Sequence, residues 1–121
     1  MRVTVLIVDD DVKFRRLAAE VLADMGCQVV GEAGTYAAGA AAAAELRPDA
    51  VLVDVALPDG DGIALAAHLA ALPWRPRVVV ASSDPDATST EAVQTFGAAG
   101  FMPKDALPDG TLAAMLIGRY R

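Results

Sequence analysis

The sequence predicts an α/β fold in which parallel strands alternate with helices around one sheet, and three observations carry that expectation. Five short β-type runs alternate with helix-type segments along the 121 residues. Three of those runs are almost continuously apolar, as strands covered by helices on both faces must be. The segments between them place apolar residues at helical spacing. A chain of this length fits one domain with a single core, residues 1–121.

Val3–Val8 is the first strand, apolar almost throughout. Phe14, Leu17, Ala18, Val21, Leu22 and Met25 then recur at helical spacing, and Gly26 stands where a left-handed cap ends the helix. Gln28–Glu32 is the second strand. The next run, "TYAAGAAAAAEL", is low in complexity, yet Ala is the best helix former and Thr35 suits its N-cap. An Ala-rich helix lies close to a sheet, so this run is read as packing and not as a linker. Ala50–Asp54 is the third strand, followed by a helix over about Ile63–Leu72. Arg77–Ala81 is the fourth strand; with the first and third it is expected at the sheet centre.

The fourth helix, about Ser89–Phe96, has Thr88 and Glu91 at capping-box spacing. Its segment "TSTEAVQTF" holds several weak helix formers and should be the least stable of the set. Gly100–Met102 is the fifth strand, and a fifth helix is expected over about Asp109–Gly118. No internal repeat or linker-like run rich in Gly, Pro or Ser interrupts this order.

Composition narrows the function classes. Hydrophobic residues make up 55% of the chain, which suits a compact globule. A formal charge of −6 argues against direct binding of nucleic acid or an anionic membrane. No run is long enough to span a bilayer, and the apolar start turns acidic too soon for a signal peptide, so a cytoplasmic location is expected. The single Cys27 has neither a disulfide partner nor metal-ligand companions and reads as a small hydrophobe.

The rim of the predicted sheet carries the chemistry. In an open parallel sheet, ligands bind beyond the carboxyl ends of the strands, near the reversal of strand order. Asp9 and Asp10 follow the first strand, Asp54 closes the third, Ser82 follows the fourth and Lys104 follows the fifth. Carboxylates gathered at ~4 Å repel by about 4 kcal/mol per pair at an effective dielectric near 20. A hard divalent cation with oxygen ligands offsets this, which points to Mg²⁺. Lys104 adds a second positive charge. Together they make a place where a carboxylate can act as a nucleophile towards phosphorus.

Four pieces in this order resemble the receiver domains of two-component response regulators: "VDD" at Val8–Asp10, "DVALPDGDG" at Asp54–Gly62, "SS" at Ser82–Ser83 and "GAAGFMPK" at Gly97–Lys104. Each is weak alone; together they are specific, and the resemblance covers essentially the whole chain. It implies a flavodoxin-like, doubly wound (βα)5 fold with strand order 2-1-3-4-5 and helices on both faces. It implies that Asp54 is the phosphoacceptor, served by a sensor histidine kinase or a histidine phosphotransfer protein. Asp10 and Asp54 would bind Mg²⁺ directly, Asp9 largely through water, and the backbone carbonyl of Ala56 would be a further ligand. Lys104 would pair with the phosphoryl group and Ser82 would donate its hydroxyl to it. Phe101, at the aromatic switch position, would move inward behind Ser82. The output would be the face of helix four, strand five and helix five, engaged by a homodimer or an effector. The only catalysis implied is the domain's own phosphorylation and dephosphorylation.

Some positions depart from the commonest family pattern. Asp105 follows Lys104, where many receivers have Pro, and Pro103 precedes it. Lys-Asp here, with "RPDAVLVDVALPDGDG", is similar to receivers that precede a helix-turn-helix DNA-binding domain. The methyl side chain of Ala56 cannot position water, a role expected to fall in part to Asp84. In the loop "LPDGDG", Pro58 fixes φ, and Gly60 and Gly62 are expected in conformations closed to other residues. Asp59 and Asp61 read as turn or cap residues, Asp11 as a helix-start acid suited to the dipole, and Ser83 as a loop residue. His68 reads as a helix surface residue, Trp74 as a cover for the far end of the sheet, and Arg75 and Arg77 as solvated, with a partner contact as the alternative. Two other functions compete. One is a haloacid-dehalogenase-type phosphatase, against which Lys13 stands where its motif wants Thr or Val; the other is a pseudo-receiver that binds partners without phosphorylation.

Overall fold

Side-chain alternation along the strands builds two apolar cores, one on each side of a single sheet, in place of the single core expected, because the sheet itself separates them. The computed structural model describes residues 2–117. Its main strands are β1 (Thr4–Val8), β2 (Gln28–Ala33), β3 (Ala50–Asp54), β4 (Arg77–Ser82) and β5 (Gly100–Pro103). They pair in parallel in the order β2-β1-β3-β4-β5, as expected. The helices are α1 (Val12–Asp24), α2 (Tyr36–Leu46), α3 (Gly62–Ala70), α4 (Thr90–Gln94) and α5 (Thr111–Ile117).

Leu6, Val8, Val51, Val53, Val78, Val80 and Phe101 face one core, which Ala43 of α2, Leu65 and Leu69 of α3, and Val93 of α4 close. Val5, Ile7, Leu52, Val79 and Met102 face the other, closed by Phe14, Ala18 and Leu22 of α1 and Leu112 and Leu116 of α5. β1, β3 and β4 are the interior strands, which explains their unbroken apolar sequences. The Ala-rich α2 lies against the sheet: a Cβ on its Gly39 would stand 2.8 Å from Val8 Cγ1. Cys27 is buried in the second core, and burial pushes its thiol pKa up.

Several expected details change. Leu17 is 49% exposed and belongs to neither core, because α1 buries only the narrower stripe of Phe14, Ala18 and Leu22. Ser89, not Thr88, caps α4, accepting from the Ala92 amide at 3.1 Å, and this helix has only five residues. Asp109 ends a 3-10 helix, Lys104–Asp109, and Gly110 at φ 86° separates it from α5. Gly118, the expected end of the fifth helix, lies outside the described residues. No helix among the described residues is long and apolar enough to cross a membrane.

Candidate functional site

Asp9 directly follows β1, Asp54 ends β3, Ser82 ends β4 and Lys104 directly follows β5, so parallel pairing carries all of them to one rim. β1 and β3 are neighbours from which the sheet is built outward in opposite directions. The gap above them is therefore the point of strand-order reversal. There Asp9, Asp10 and Asp54 each offer a carboxylate oxygen, all within 4.8 Å of one another. Asp9 and Asp54 are buried and Asp10 is exposed.

Lys104 reaches the same gap. Its Nζ lies 2.7 Å from Asp9 Oδ2 and 3.6 Å from Asp54 Oδ1. It also stands 4.6 Å from the centre of the Phe14 ring, on the first turn of α1, where the ring face attracts the ammonium. Asp9 is fixed from two further sides. Its Oδ1 accepts from the Asp11 amide at 2.9 Å, and its peptide carbonyl accepts from Arg15, which also pairs with Glu32 at 3.0 Å.

Charge and burial test the fit of a cation. Three carboxylates against one ammonium leave an excess of two negative charges. Burial, and then the charge of Asp9, push the Asp54 pKa up to about 6; Lys104 and a hydrogen bond from the Ala56 backbone only partly oppose this. Asp9 Oδ2 is buried, and Lys104 is its one partner among the described residues. An all-oxygen donor set and a surplus of two negative charges fit a hard divalent cation.

Ser82 is buried beside this rim. Its Oγ accepts from the Asp84 amide at 2.9 Å, which leaves its own proton for another acceptor. Asp84 spends Oδ1 on the Asp86 amide at 2.9 Å. Phe101 is already buried in the first core, at 8% exposure. No cis peptide occurs among the described residues, so Lys104–Asp105 is trans. Asp11 caps α1 through the amides of Lys13 and Phe14.

The loop over the rim works differently from the expectation. Neither Gly60 nor Gly62 has positive φ. They are needed for closeness: a Cβ on Gly62 would lie 1.7 Å from the Asp54 carbonyl oxygen, and one on Gly60 would lie 2.8 Å from Tyr36 Cδ2. Ala56–Leu57 and Gly60–Asp61 form a short antiparallel ladder, and Asp61 caps α3 through the Ile63 amide. Asp59 reaches across to the start of α2, accepting from the amides of Tyr36 at 2.6 Å and Ala37 at 3.1 Å.

At the opposite end of the sheet, Trp74 Nε1 donates to the Pro48 carbonyl at 2.9 Å, and the Arg47 guanidinium lies 4.2 Å from its ring centre. His68 and Arg75 are exposed. Arg77 is exposed but not merely solvated, since its Nε donates to the Met115 carbonyl at 2.9 Å.

Sequence reasoning missed Phe14, Arg15 and Thr90. The helical spacing of Phe14 marks it as core, and its contact with Lys104 depends on α1 packing beside β5's exit. Arg15 sits one turn beyond Asp9, but nothing in the spacing shows that it grips a backbone carbonyl. The Thr90 hydroxyl donates to the Phe101 carbonyl at 3.3 Å and accepts from its amide at 3.2 Å. An unpaired edge strand beside a short helix was the available signal.

Fold and rim together define a signal-receiver type of α/β domain. The chain belongs to the response regulator receiver domain family, whose model matches residues 5–116. It is 38% identical over 105 residues to the DNA-binding transcriptional activator DevR/DosR of Mycobacterium tuberculosis, covering 85% of this chain and 48% of that protein. It is 35% identical over 107 residues to a protein-glutamate methylesterase/protein-glutamine glutaminase of a Nocardioides species, covering 88% of this chain and 28% of that protein. The chain thus spans about half or less of the length of these relatives. The signal receiver domain of the putative response regulator NarL from Mycobacterium tuberculosis superposes with a TM-score of 0.80 at 30% identity, covering 98% of each chain. This chain is accordingly the receiver domain of a two-component response regulator.

Proposed function

We propose that the domain is a switch operated by phosphorylation of Asp54. The observation that supports this best is the convergence of three carboxylates within 4.8 Å beside the Lys104 ammonium, 3.6 Å from Asp54. An Asp54 oxygen attacks the phosphorus of a phosphohistidine on a sensor kinase or histidine phosphotransfer protein. The P–N bond breaks, its electron pair stays on the imidazole, which takes a proton, and Asp54 becomes an acyl phosphate. Water later cleaves that anhydride and restores the carboxylate. Asp10 and Asp54, with Asp9 and the Ala56 carbonyl in support, would hold Mg²⁺, which supplies charge neutralisation for the incoming phosphoryl oxygens. Lys104 supplies the protein's own positive charge, and the Ser82 hydroxyl donates to a phosphoryl oxygen.

The new dianion favours arrangements in which Ser82 and Lys104 close on it, and α4, β5 and α5 respond. Phe101, on β5 and bonded to α4 through Thr90, belongs to that face. A second copy of the domain or an effector reads it. The DNA-binding relative supports a transcriptional output through a separate segment, since a net charge of −6 does not suit this domain to DNA. Catalysis is confined to the domain's own Asp54. A dehalogenase-type reading is disfavoured because Asp11, the second acid of its motif, is spent on capping α1.

Incubation with acetyl phosphate and Mg²⁺ tests this by intact mass. One phosphoryl adduct on the wild type and none on Asp54→Asn are expected. An adduct that survives the substitution rejects Asp54, and an unmodified wild type favours a pseudo-receiver.

A further inference from the structure

The loop after Asp54 is a tight hairpin. Ala56 pairs with Asp61 and Leu57 with Gly60, which leaves Pro58 and Asp59 as the turn between them. Two rungs are too few to hold such a ribbon in water unaided. Its base is secured, since Leu57 is buried in the first core and Gly62 rests on the Asp54 main chain. Its tip has no such anchor: Pro58, Asp59, Gly60 and Asp61 are all exposed, so burial in a core does not fix them.

Asp59 supplies the missing hold. Its carboxylate accepts from the amides of Tyr36 at 2.6 Å and Ala37 at 3.1 Å, which open α2 and have no acceptor inside the helix. A negative group also suits the positive end of the helix dipole. The helix has a local cap besides, because Thr35 Oγ1 accepts from the Ala38 amide at 3.0 Å. The Asp59 contact differs in joining two distant segments. Tyr36 tightens the same joint with its ring, which lies so close over Gly60 that a Cβ there would stand 2.8 Å from Cδ2.

The hairpin also carries Ala56, whose backbone hydrogen-bonds the Asp54 carboxylate. Only Leu57 and Pro58 stand between Ala56 and Asp59; the first is buried and the second has its φ fixed by its ring. A pull at the tip is therefore felt at Ala56. We infer that Asp59 is a positioning residue for the phosphoacceptor: by fastening the hairpin tip to α2, it holds the Ala56 backbone against the Asp54 carboxylate. This role rests on the reading of Asp54 as the phosphorylated group and adds a residue that works without touching the reacting atoms.

Three variants test it. Asp59→Ala removes both bonds, and Asp59→Asn keeps one acceptor oxygen. Thr35→Ala weakens the same helix start but leaves the hairpin alone, so it reports the loss of α2 stability by itself. In EDTA, exchange at the Ala56, Leu57, Gly60 and Asp61 amides should quicken at least about tenfold in Asp59→Ala, and less in Asp59→Asn. Thr35→Ala should exchange there at the wild-type rate. With acetyl phosphate and Mg²⁺, the rate of phosphoryl gain read by intact mass should fall about tenfold or more in Asp59→Ala, less in Asp59→Asn, and stay unchanged in Thr35→Ala. Exchange or phosphorylation unaltered in Asp59→Ala, or altered equally in Thr35→Ala, would overturn the positioning role. A wild type that gains no phosphoryl group would instead remove the Asp54 reading, and this role with it, whatever the exchange shows.

Discussion

One hydroxyl satisfies both backbone groups of its neighbour: Thr90 Oγ1 donates to the Phe101 carbonyl at 3.3 Å and accepts from the Phe101 amide at 3.2 Å. Four residues on, Gln94 bonds the Ala99 carbonyl just before β5, so the first and last residues of α4 both hold the open edge of the sheet. Thr90→Val keeps the shape and removes both bonds, which should cost about 1–3 kcal/mol. Faster amide exchange at Phe101 and through α4 is the expected readout. Unchanged exchange at Phe101 would mean that the hydroxyl does not hold the helix to the edge.

The acids around the rim should move stability with pH in opposite senses. Asp54, raised from 3.8 to about 6, is protonated in both folded and unfolded chains at low pH, and costs nothing there. Between those values the unfolded chain loses its proton first, so folding weakens as pH rises, with the full cost above pH 6, roughly 3 kcal/mol. In EDTA, Asp54→Asn should therefore stabilise the chain at pH 7.5 and make little difference near pH 3.8. Asp59 is held below its usual value by the Tyr36 and Ala37 amides, so its support is present above 3.8 and lost on further acidification. Asp59→Ala should destabilise at neutral pH, with the difference closing in acid. Urea titrations across pH read both; an Asp54→Asn gain independent of pH would refute the charge argument.

Cation binding has its own signature. Mg²⁺ at 100 times its dissociation constant should stabilise the wild type by about 2.7 kcal/mol, raising its melting temperature by roughly 10 °C. Asp10→Asn, at an exposed position, should fold normally and lose most of this response. An equal Mg²⁺ response in Asp10→Asn would remove that residue from the ligand set.

Substitutions in the loop over the rim should separate contact from conformation. Gly62→Ala drives a methyl into the Asp54 carbonyl, a backbone atom that cannot swing aside, and should cost at least about 3 kcal/mol. Gly60→Ala meets only the ring of Tyr36, which can turn, and should cost less. Thermal melts of the two variants decide this. A milder effect at position 62 would show that the two backbone segments part easily there.

The sheet was legible because each strand's burial is written in its own residues. Val51, Leu52 and Val53 have no polar partner to place outward, so the strand had to be central. The rim acids were legible for a related reason: topology sends every strand's last residue to one side. Contacts between separate segments were not legible. Asp59 looked like a turn residue because the α2 amides it holds are 23 and 22 positions away in sequence. Gly62 looked like a conformational need because a missing Cβ gives the same letter whether the reason is φ or proximity. Leu17 fitted the helical period but fell outside the stripe that the sheet covers.

That proximity at Gly62 has a mechanical side. The first residue of α3 rests on the main chain of Asp54 with no side chain interposed, and its amide bonds the Val55 carbonyl at 2.8 Å. Backbone against backbone is the stiffest coupling a protein has, because no rotamer can absorb a displacement. A tilt of the peptide at Asp54 therefore reaches α3 undamped, whereas towards α4 it passes through hydroxyls that can let go.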